Sequence, residues 1–208
     1  MYHFTSQSLT ASQRYKLISG SLVPRPIAWV TTLNKDDATI VNAAPFSYFS
    51  SMPSDTPLLS LAIGRQTNFE PKDTAANILA REEAVVHLVD ADLAREMNQT
   101  AATLPADQSE VTQQHLATIP SQTISVPALA LPKIRFETEL YQYVPITDDH
   151  GRIQGDLFIL KITDFYFKED VLDPKQFHVD ARIFNPLARL AGPTYGQIDH
   201  TFNLQRPK

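Results

Sequence analysis

Three short segments carry residue types that could hold a flat, polar-edged ligand ending in an anion. The first is Pro24-Arg25-Pro26-Ile27-Ala28-Trp29-Val30-Thr31-Thr32, an extended run reached through prolines and ending in two hydroxyls, Thr31 and Thr32. The second is Asn42-Ala43-Ala44-Pro45-Phe46-Ser47-Tyr48-Phe49-Ser50-Ser51. Small side chains at Ala43 and Ala44 let a ring approach the backbone, while Asn42, Ser47, Ser50 and Ser51 offer hydrogen bonds to its polar edge. The third is Lys72-Asp73-Thr74 at the start of an expected helix. Free N–H groups at a helix N-terminus, an ammonium and a threonine hydroxyl together suit a terminal phosphate. Each segment also has a plainer reading by itself: an edge strand with Trp29 in the core, a serine-rich turn, a solvated helix cap.

Other chemistries are missing. Cysteine is absent from the 208 residues, which excludes disulfides, Cys-ligated zinc, iron–sulfur clusters and a thiol nucleophile. There is no G-x-G-x-x-G, no Walker loop and no G-x-S-x-G elbow. The histidines at 3, 87, 115, 150, 178 and 200 show no metal-ligand spacing. His87 lies inside an apolar strand, so it and His178 are the candidates should a haem or another ligand be bound. A net charge of −5 argues against nucleic acid or an anionic membrane as the main partner. The N-terminus lacks a basic and apolar leader, and no apolar run is long enough for a bilayer. A cytoplasmic location is the expectation.

The elements that must position these groups are mostly strands. Val23 to Leu33 and Ala38 to Ala44 read as a hairpin across the polar turn Asn34 to Asp37. Pro57 to Ile63 and Val85 to Val89 are further apolar strands. Asp73 is placed to cap a helix with Ala75, Ile78 and Leu79 on one face, and Asp90 to cap a second with Leu93 and Met97 four apart. In Lys133 to Ile146 the alternation sets Ile134, Phe136, Leu140, Val144 and Ile146 on one face, against Lys133, Arg135, Glu137 and Glu139. Asp156 to Phe167 is apolar on both faces. The proline-rich stretch 103–132 is long enough to be functional or to cover a partner subunit. No linker divides the chain, so residues 1–208 are expected to form one domain with its core at about 17–195.

Taken together, Pro24-Arg25-Pro26, Asn42-x-Ala44-Pro45-Phe46-Ser47, Lys72-Asp73-Thr74 and Leu187-Ala188-Arg189-Leu190 resemble the flavin reductase-like family of FMN-binding split barrels, in particular its flavoredoxin-like branch. The chain departs from that branch at His87, at Ala191-Gly192 and in its first hairpin turn. The resemblance implies a mainly β fold: a six-stranded antiparallel Greek-key split barrel with a few inserted helices. It implies a homodimer with non-covalent FMN near the interface and no residue acting as acid or base. By that resemblance Thr31, Thr32, Asn42, Ala43, Ala44, Pro45, Ser47 and Ser50 line the flavin, and Lys72 and Thr74 hold its phosphate. Arg65 assists at the phosphate, and Arg189 approaches the ring from the same or the partner chain. The implied function is an oxidoreductase passing hydride or electrons from NADH or NADPH to an acceptor such as a monooxygenase or redox partner. The alternative is an FMN-binding electron carrier without its own NAD(P)H activity. The apolar residues of the tail from Gln197 to Lys208 are expected to fold over the cofactor mouth or a neighbour.

Overall fold

The computed structural model describes residues 1–207. Its first nine strands in chain order are β1 (Ala28–Leu33), β2 (Val41–Phe46), β3 (Phe49–Ser51), β4 (Leu58–Gly64), β5 (Glu83–Leu88), β6 (Thr118–Ile119), β7 (Ala128–Leu129), β8 (Ile134–Thr147) and β9 (Ile153–Phe167). Seven of them form one sheet in the order β2-β1-β5-β8-β9-β4-β3, every pairing antiparallel. The sheet curls into a half-closed barrel, a split barrel as expected. The strand beyond the expected six is β3, a short piece following β2 around a corner at Ser47 and Tyr48. No ladder joins β2 to β3 among the described residues, and the chain passes from one sheet edge to the other around that corner.

Alternation sorts the side chains. Along β1, Ala28 and Val30 point into the barrel with Leu61, Ile63, Val86 and Phe158. Trp29 points out, into a second cluster with Ile27, Ala43, Met97, Val111 and Leu129. All six residues of β1 are buried because both faces are covered. The inner cover includes α2 (Asp73–Arg81), whose Ala75 and Ile78 join the barrel core. Lys72, rather than Asp73, is the cap of that helix.

The long excursion folds back on its own chain. It holds α4 (Glu110–Gln113) and the β6–β7 ribbon. The Glu110 carboxylate accepts from the Ala43 amide at 3.1 Å and from Asn42 Nδ2 at 3.2 Å, and Ser109 Oγ donates to Val41 O at 2.5 Å. The open edge of β2 is thereby satisfied, as a buried strand edge must be.

Two expectations for β8 are corrected. Val144 and Ile146 stand 36% and 44% exposed, while Tyr143 turns inward and stacks on Phe158 at 5.5 Å. The cause is a register shift between Leu140 and Gln142: Tyr141 is an extra residue, and one extra residue exchanges the faces. Glu137, on the charged face opposite Ile134 and Phe136, is fully buried. The Gln122 amide and the Thr123 amide and hydroxyl donate to its carboxylate at 2.8–3.1 Å. Alternation shows which face a residue takes, but not whether a distant loop covers that face.

An N-terminal helix, α1 (Ala11–Ser21), was not among the expected elements. Its signal is present in Thr10-Ala11-Ser12-Gln13. The Thr10 hydroxyl accepts from the Gln13 amide at 3.2 Å and Gln13 Oε1 accepts from the Thr10 amide at 2.8 Å, a capping box.

Candidate functional site

The site is organised around the β2–β3 corner. Arg25 grips it: Nε donates to Ser47 Oγ at 3.3 Å, Nη1 to the carbonyls of Ser19 and Leu22 at 2.5 and 2.6 Å, and Nη2 to Leu190 O at 3.1 Å. One guanidinium thus ties together the end of α1, the corner and the C-terminal segment. The backbones of Arg25 and Arg189 also pair in both directions, at 3.1 and 2.9 Å. Arg189 donates to Gly192 O at 2.5 Å and lies over the Tyr195 ring at 4.5 Å, while the Tyr195 hydroxyl donates to Asn98 Oδ1 at 3.2 Å. Asn98 belongs to α3 (Ala94–Gln99), which follows a single turn capped by Asp90.

These parts enclose an open groove of about 750 Å³ between α1, the corner, α3 and the 189–195 segment. Lys16, Arg25 and Arg189 are its charged residues, and Tyr15, Tyr48 and Tyr195 bring aromatic rings. Partial burial raises the pKa of the Tyr48 phenol, and Tyr15 adds to this against the opposing effect of Arg25.

The orientation of α2 follows from its contacts. Arg81 at its end donates to Asn34 O at 2.9 Å, at the hairpin turn. Asn77, one turn earlier, donates to Thr32 Oγ1 at 3.0 Å and Asn42 Oδ1 at 3.2 Å and accepts from the Lys35 amide at 2.8 Å. The C-terminal half of the helix is therefore fastened to the β1–β2 hairpin, its end at the hairpin turn. Lys72 at the helix start is exposed and provides no side-chain cap, so the first-turn N–H groups are left without a side-chain acceptor.

The expected site residues divide into groups. Pro45, Ser47 and Arg189 line the groove. Ala44 is half-buried beside Pro45, and Ser50 lies exposed on β3. Thr31, Thr32, Asn42 and Ala43 are buried and engaged within the protein. The Thr31 hydroxyl donates to Pro127 O at 2.8 Å, and Asn42 connects Asn77 to Glu110. The structure does not bring those residues to the groove. Thr74 is buried in the first turn of α2. Arg65 has its donors engaged: Nε and Nη2 meet Asp156 at 3.1 and 2.8 Å, and Nη1 meets Phe69 O at 3.0 Å. The sequence reading did not name Lys16, Tyr15 or Tyr48 for the site. Without the capping box α1 goes unseen, and with it one wall of the groove. In the described part of the tail, Ile198, Phe202 and Leu204 are exposed; its last residue, Lys208, lies outside the described residues.

His87 has no nitrogen left for a metal or haem. Nδ1 lies 2.8 Å from Trp29 O, and Nε2 accepts from the Leu129 amide at 2.9 Å, which sets the neutral tautomer with the proton on Nδ1. Complete burial pushes its pKa down to about 4. The unfolded chain takes up this proton near the ordinary value of about 6.5, whereas the folded one resists to about 4. Stability from this group is thus fully present above pH ~6.5 and falls by roughly 3 kcal/mol as the pH drops through that window. Urea unfolding at pH 7 and pH 5 is expected to show the drop, and His87→Gln to flatten it. An unchanged slope in that variant would mean another group titrates. Among the described residues, no three His, Cys, Asp or Glu side chains gather as a metal site, and no helix is long and apolar enough to cross a membrane.

A sheet of this order, split at a corner beside a cationic groove, is a flavin reductase-like split barrel. The chain belongs to that family: the model for the flavin reductase like domain matches residues 20–186. An uncharacterized protein of Bacillus subtilis strain 168, YwrF, is 40% identical over 207 residues, covering 100% of both chains. Nitrilotriacetate monooxygenase component B from Bacillus cereus superposes with a TM-score of 0.93 at 33% identity over 98% of each chain. The 2-nitrobenzoate 2-nitroreductase NbaA of Pseudomonas fluorescens gives 0.87 at 34% identity, over 99% of this chain and 96% of that one.

Proposed function

We propose that this chain binds FMN without a covalent bond and passes reducing equivalents from NADH or NADPH to an acceptor. The observation that carries this reading is the uncapped start of α2, bearing an exposed Lys72, on a helix that Asn77 fastens to Thr32 and Asn42 of the β1–β2 hairpin. When bound, the flavin supplies the hydride and electron chemistry. The chain's own groups bind and orient. Ala44 and Pro45 keep the β2 backbone approachable, and the hydroxyls of Ser47 and Ser50 offer hydrogen bonds on either side of the turn. Lys72 and the first-turn amides of α2 suit a phosphate by charge and by dipole, which outweighs the neighbouring Asp73 carboxylate because that side chain can turn to solvent. Arg65 acts behind them, fixing the loop that leads into Lys72. Likeness to a monooxygenase component supports delivery to a partner oxygenase, and likeness to a nitroreductase supports a small-molecule acceptor. Exposed Leu17, Ile18 and Leu22 on and beside α1 support assembly into a homodimer that covers them.

Anaerobic mixing tests the reading. The FMN-loaded protein is expected to be yellow, to bleach with NADH or NADPH, and to recover its colour with oxygen. Lys72→Ala removes one charge-assisted hydrogen bond, about 1.5–3 kcal/mol, and so weakens FMN roughly ten- to a hundredfold. No FMN uptake would end the reading, and bleaching by dithionite alone would leave an electron carrier.

A further inference from the structure

Residues 119–129 of the long excursion lie on the outer face of β1, β5 and β8 without joining their sheet. The β6–β7 ribbon is a sheet of its own, and no backbone hydrogen bond among the described residues ties it to the seven-stranded one. Four barrel side chains hold the segment instead, each through its backbone. The Thr31 hydroxyl donates to Pro127 O at 2.8 Å. In the other three fastenings the segment is the donor. The Leu129 amide donates to His87 Nε2 at 2.9 Å, the Ser125 amide to Glu83 at 2.8 Å, and the Gln122 and Thr123 amides to Glu137 at 3.1 and 2.9 Å. Three of the four fastenings thus end on a base. The segment brings no ionisable group of its own, since the sequence between His115 and Lys133 has none. Beneath it Ile124, Val126 and Ala128 pack on Leu33 and Val85, a small cluster apart from the barrel core.

We infer that residues 119–129 form a strap that acid releases while the barrel beneath stays folded, with His87 as the group that triggers it. Nδ1 of His87 holds its proton against Trp29 O at 2.8 Å, so a second proton can enter only at Nε2, where it meets the Leu129 N–H. Donor then opposes donor. The strap can yield but the strand cannot, because β5 is laddered to β1 on one side and β8 on the other. Facing the ring are Arg135 from β8, whose charge disfavours a second cation, and the uncharged Trp29 and Leu129 from β1 and β7. Under the strap the ring takes its proton only at about pH 4; lifted clear, it does so near 6.5, and each pH unit between the two favours release by up to about tenfold. Glu137 acts in the same direction at lower pH. It faces Asp164 and Tyr166 of β9; burial opposes its charge, but the bonds from Thr123 and Gln122 hold its carboxyl below the usual range. Glu83 faces Glu139 across the ladder and loses its hold on Ser125 when protonated. Release bares the outer face of β1 and β5 together with the apolar underside of the strap.

Hydrogen exchange read by mass spectrometry on the full chain tests this, with rates corrected for the intrinsic pH dependence of exchange. Opening of the 119–129 peptide is expected to rise about twentyfold from pH 7 to pH 5. At pH 5 its amides should exchange at least about a hundredfold faster than those of β8 and β9, which open only with the whole barrel. His87→Gln offers the Leu129 amide an oxygen that acid leaves unprotonated, so the ratio between the two pH values should fall to about threefold or less. Thr31→Val removes the one fastening that is not a base, and its strap should open more at both pH values with the wild-type ratio retained. Should His87→Gln fail to fold, the wild-type profile decides: a one-proton rise confined to the window between pH 6.5 and 4 supports the inference. Strap exchange indifferent to pH, a common rate for strap and barrel amides, or an undiminished ratio in His87→Gln overturns it.

Discussion

Asp156→Ala should cost the fold about 3–5 kcal/mol, the range for breaking a buried ion pair from one side. Asp156 lies on β9 opposite Ile63, completely buried at one end of the barrel interior. Its carboxylate takes two bonds from Arg65, at 3.1 and 2.8 Å, and one from the Tyr143 hydroxyl at 2.8 Å. The Arg65 side chain is only 14% exposed, so removing Asp156 strands a guanidinium largely out of water and a phenol with no acceptor. The pairing is visible in the ionisation of the partners. Hydrogen bonding to Asp156 raises the Arg65 pKa, and burial followed by the same hydrogen bond raises that of Tyr143. Urea unfolding at pH 7 measures the loss. The double change Asp156→Leu with Arg65→Met should cost less than Asp156→Ala alone, because it removes both charges together. A loss below about 1 kcal/mol for Asp156→Ala would show that Arg65 escapes to solvent without penalty. The effect also reaches function. Arg65 holds Phe69 O, and the Gln66–Glu70 turn between them leads directly into Lys72. Loosening the pair should therefore weaken FMN if Lys72 holds its phosphate as proposed, since Arg65 acts there only through this loop.

The strand framework was legible in the sequence because β-branched and aromatic runs bounded by proline and polar turns have few other folds open to them. The hairpin, the strand before Gly64, both long strands and the capped helices all appear near their expected places. Boundaries moved where context decides them: β1 starts at Ala28 rather than Val23, since Pro24 and Pro26 cannot donate to a ladder. The groove was legible only in part. Pro45, Ser47 and Arg189 reached the groove from motifs, yet Thr31 and Asn42 went to the interior. Their side chains are engaged within the protein: Thr31 fastens the excursion at Pro127, and Asn42 joins α2 to α4 across a strand edge. A polar residue in a strand looks the same in sequence whether it faces a ligand or a loop folding back from 68 or 96 residues away. The groove's cations come from α1, the β1 approach and the C-terminal segment, far apart in the chain. No local pattern joins such positions; tertiary structure alone does.

Trp29→Ala should be among the most destabilising single changes, at about 3–5 kcal/mol, the usual cost of deleting a large aromatic from a packed core. Trp29 is fully buried and central to the outer cluster, between Ile27, Met97, Leu129 and Leu187. Its indole N–H donates to Thr100 Oγ1 at 2.9 Å, and that hydroxyl donates in turn to Met97 O at 2.8 Å. The indole thus fastens the end of α3 to β1, and α3 supplies Met97 and Asn98 to the groove. Trp29→Phe separates the two contributions. It keeps most of the apolar volume and loses one hydrogen bond, so roughly 1–2 kcal/mol is expected from that bond and the smaller ring. Thermal or urea unfolding followed by circular dichroism is the measurement, since this is the chain's one tryptophan and fluorescence would vanish with it. Equal losses for Phe and Ala would assign the whole effect to the hydrogen bond, and a loss for Phe of only a few tenths of a kcal/mol would assign it to packing in the outer cluster.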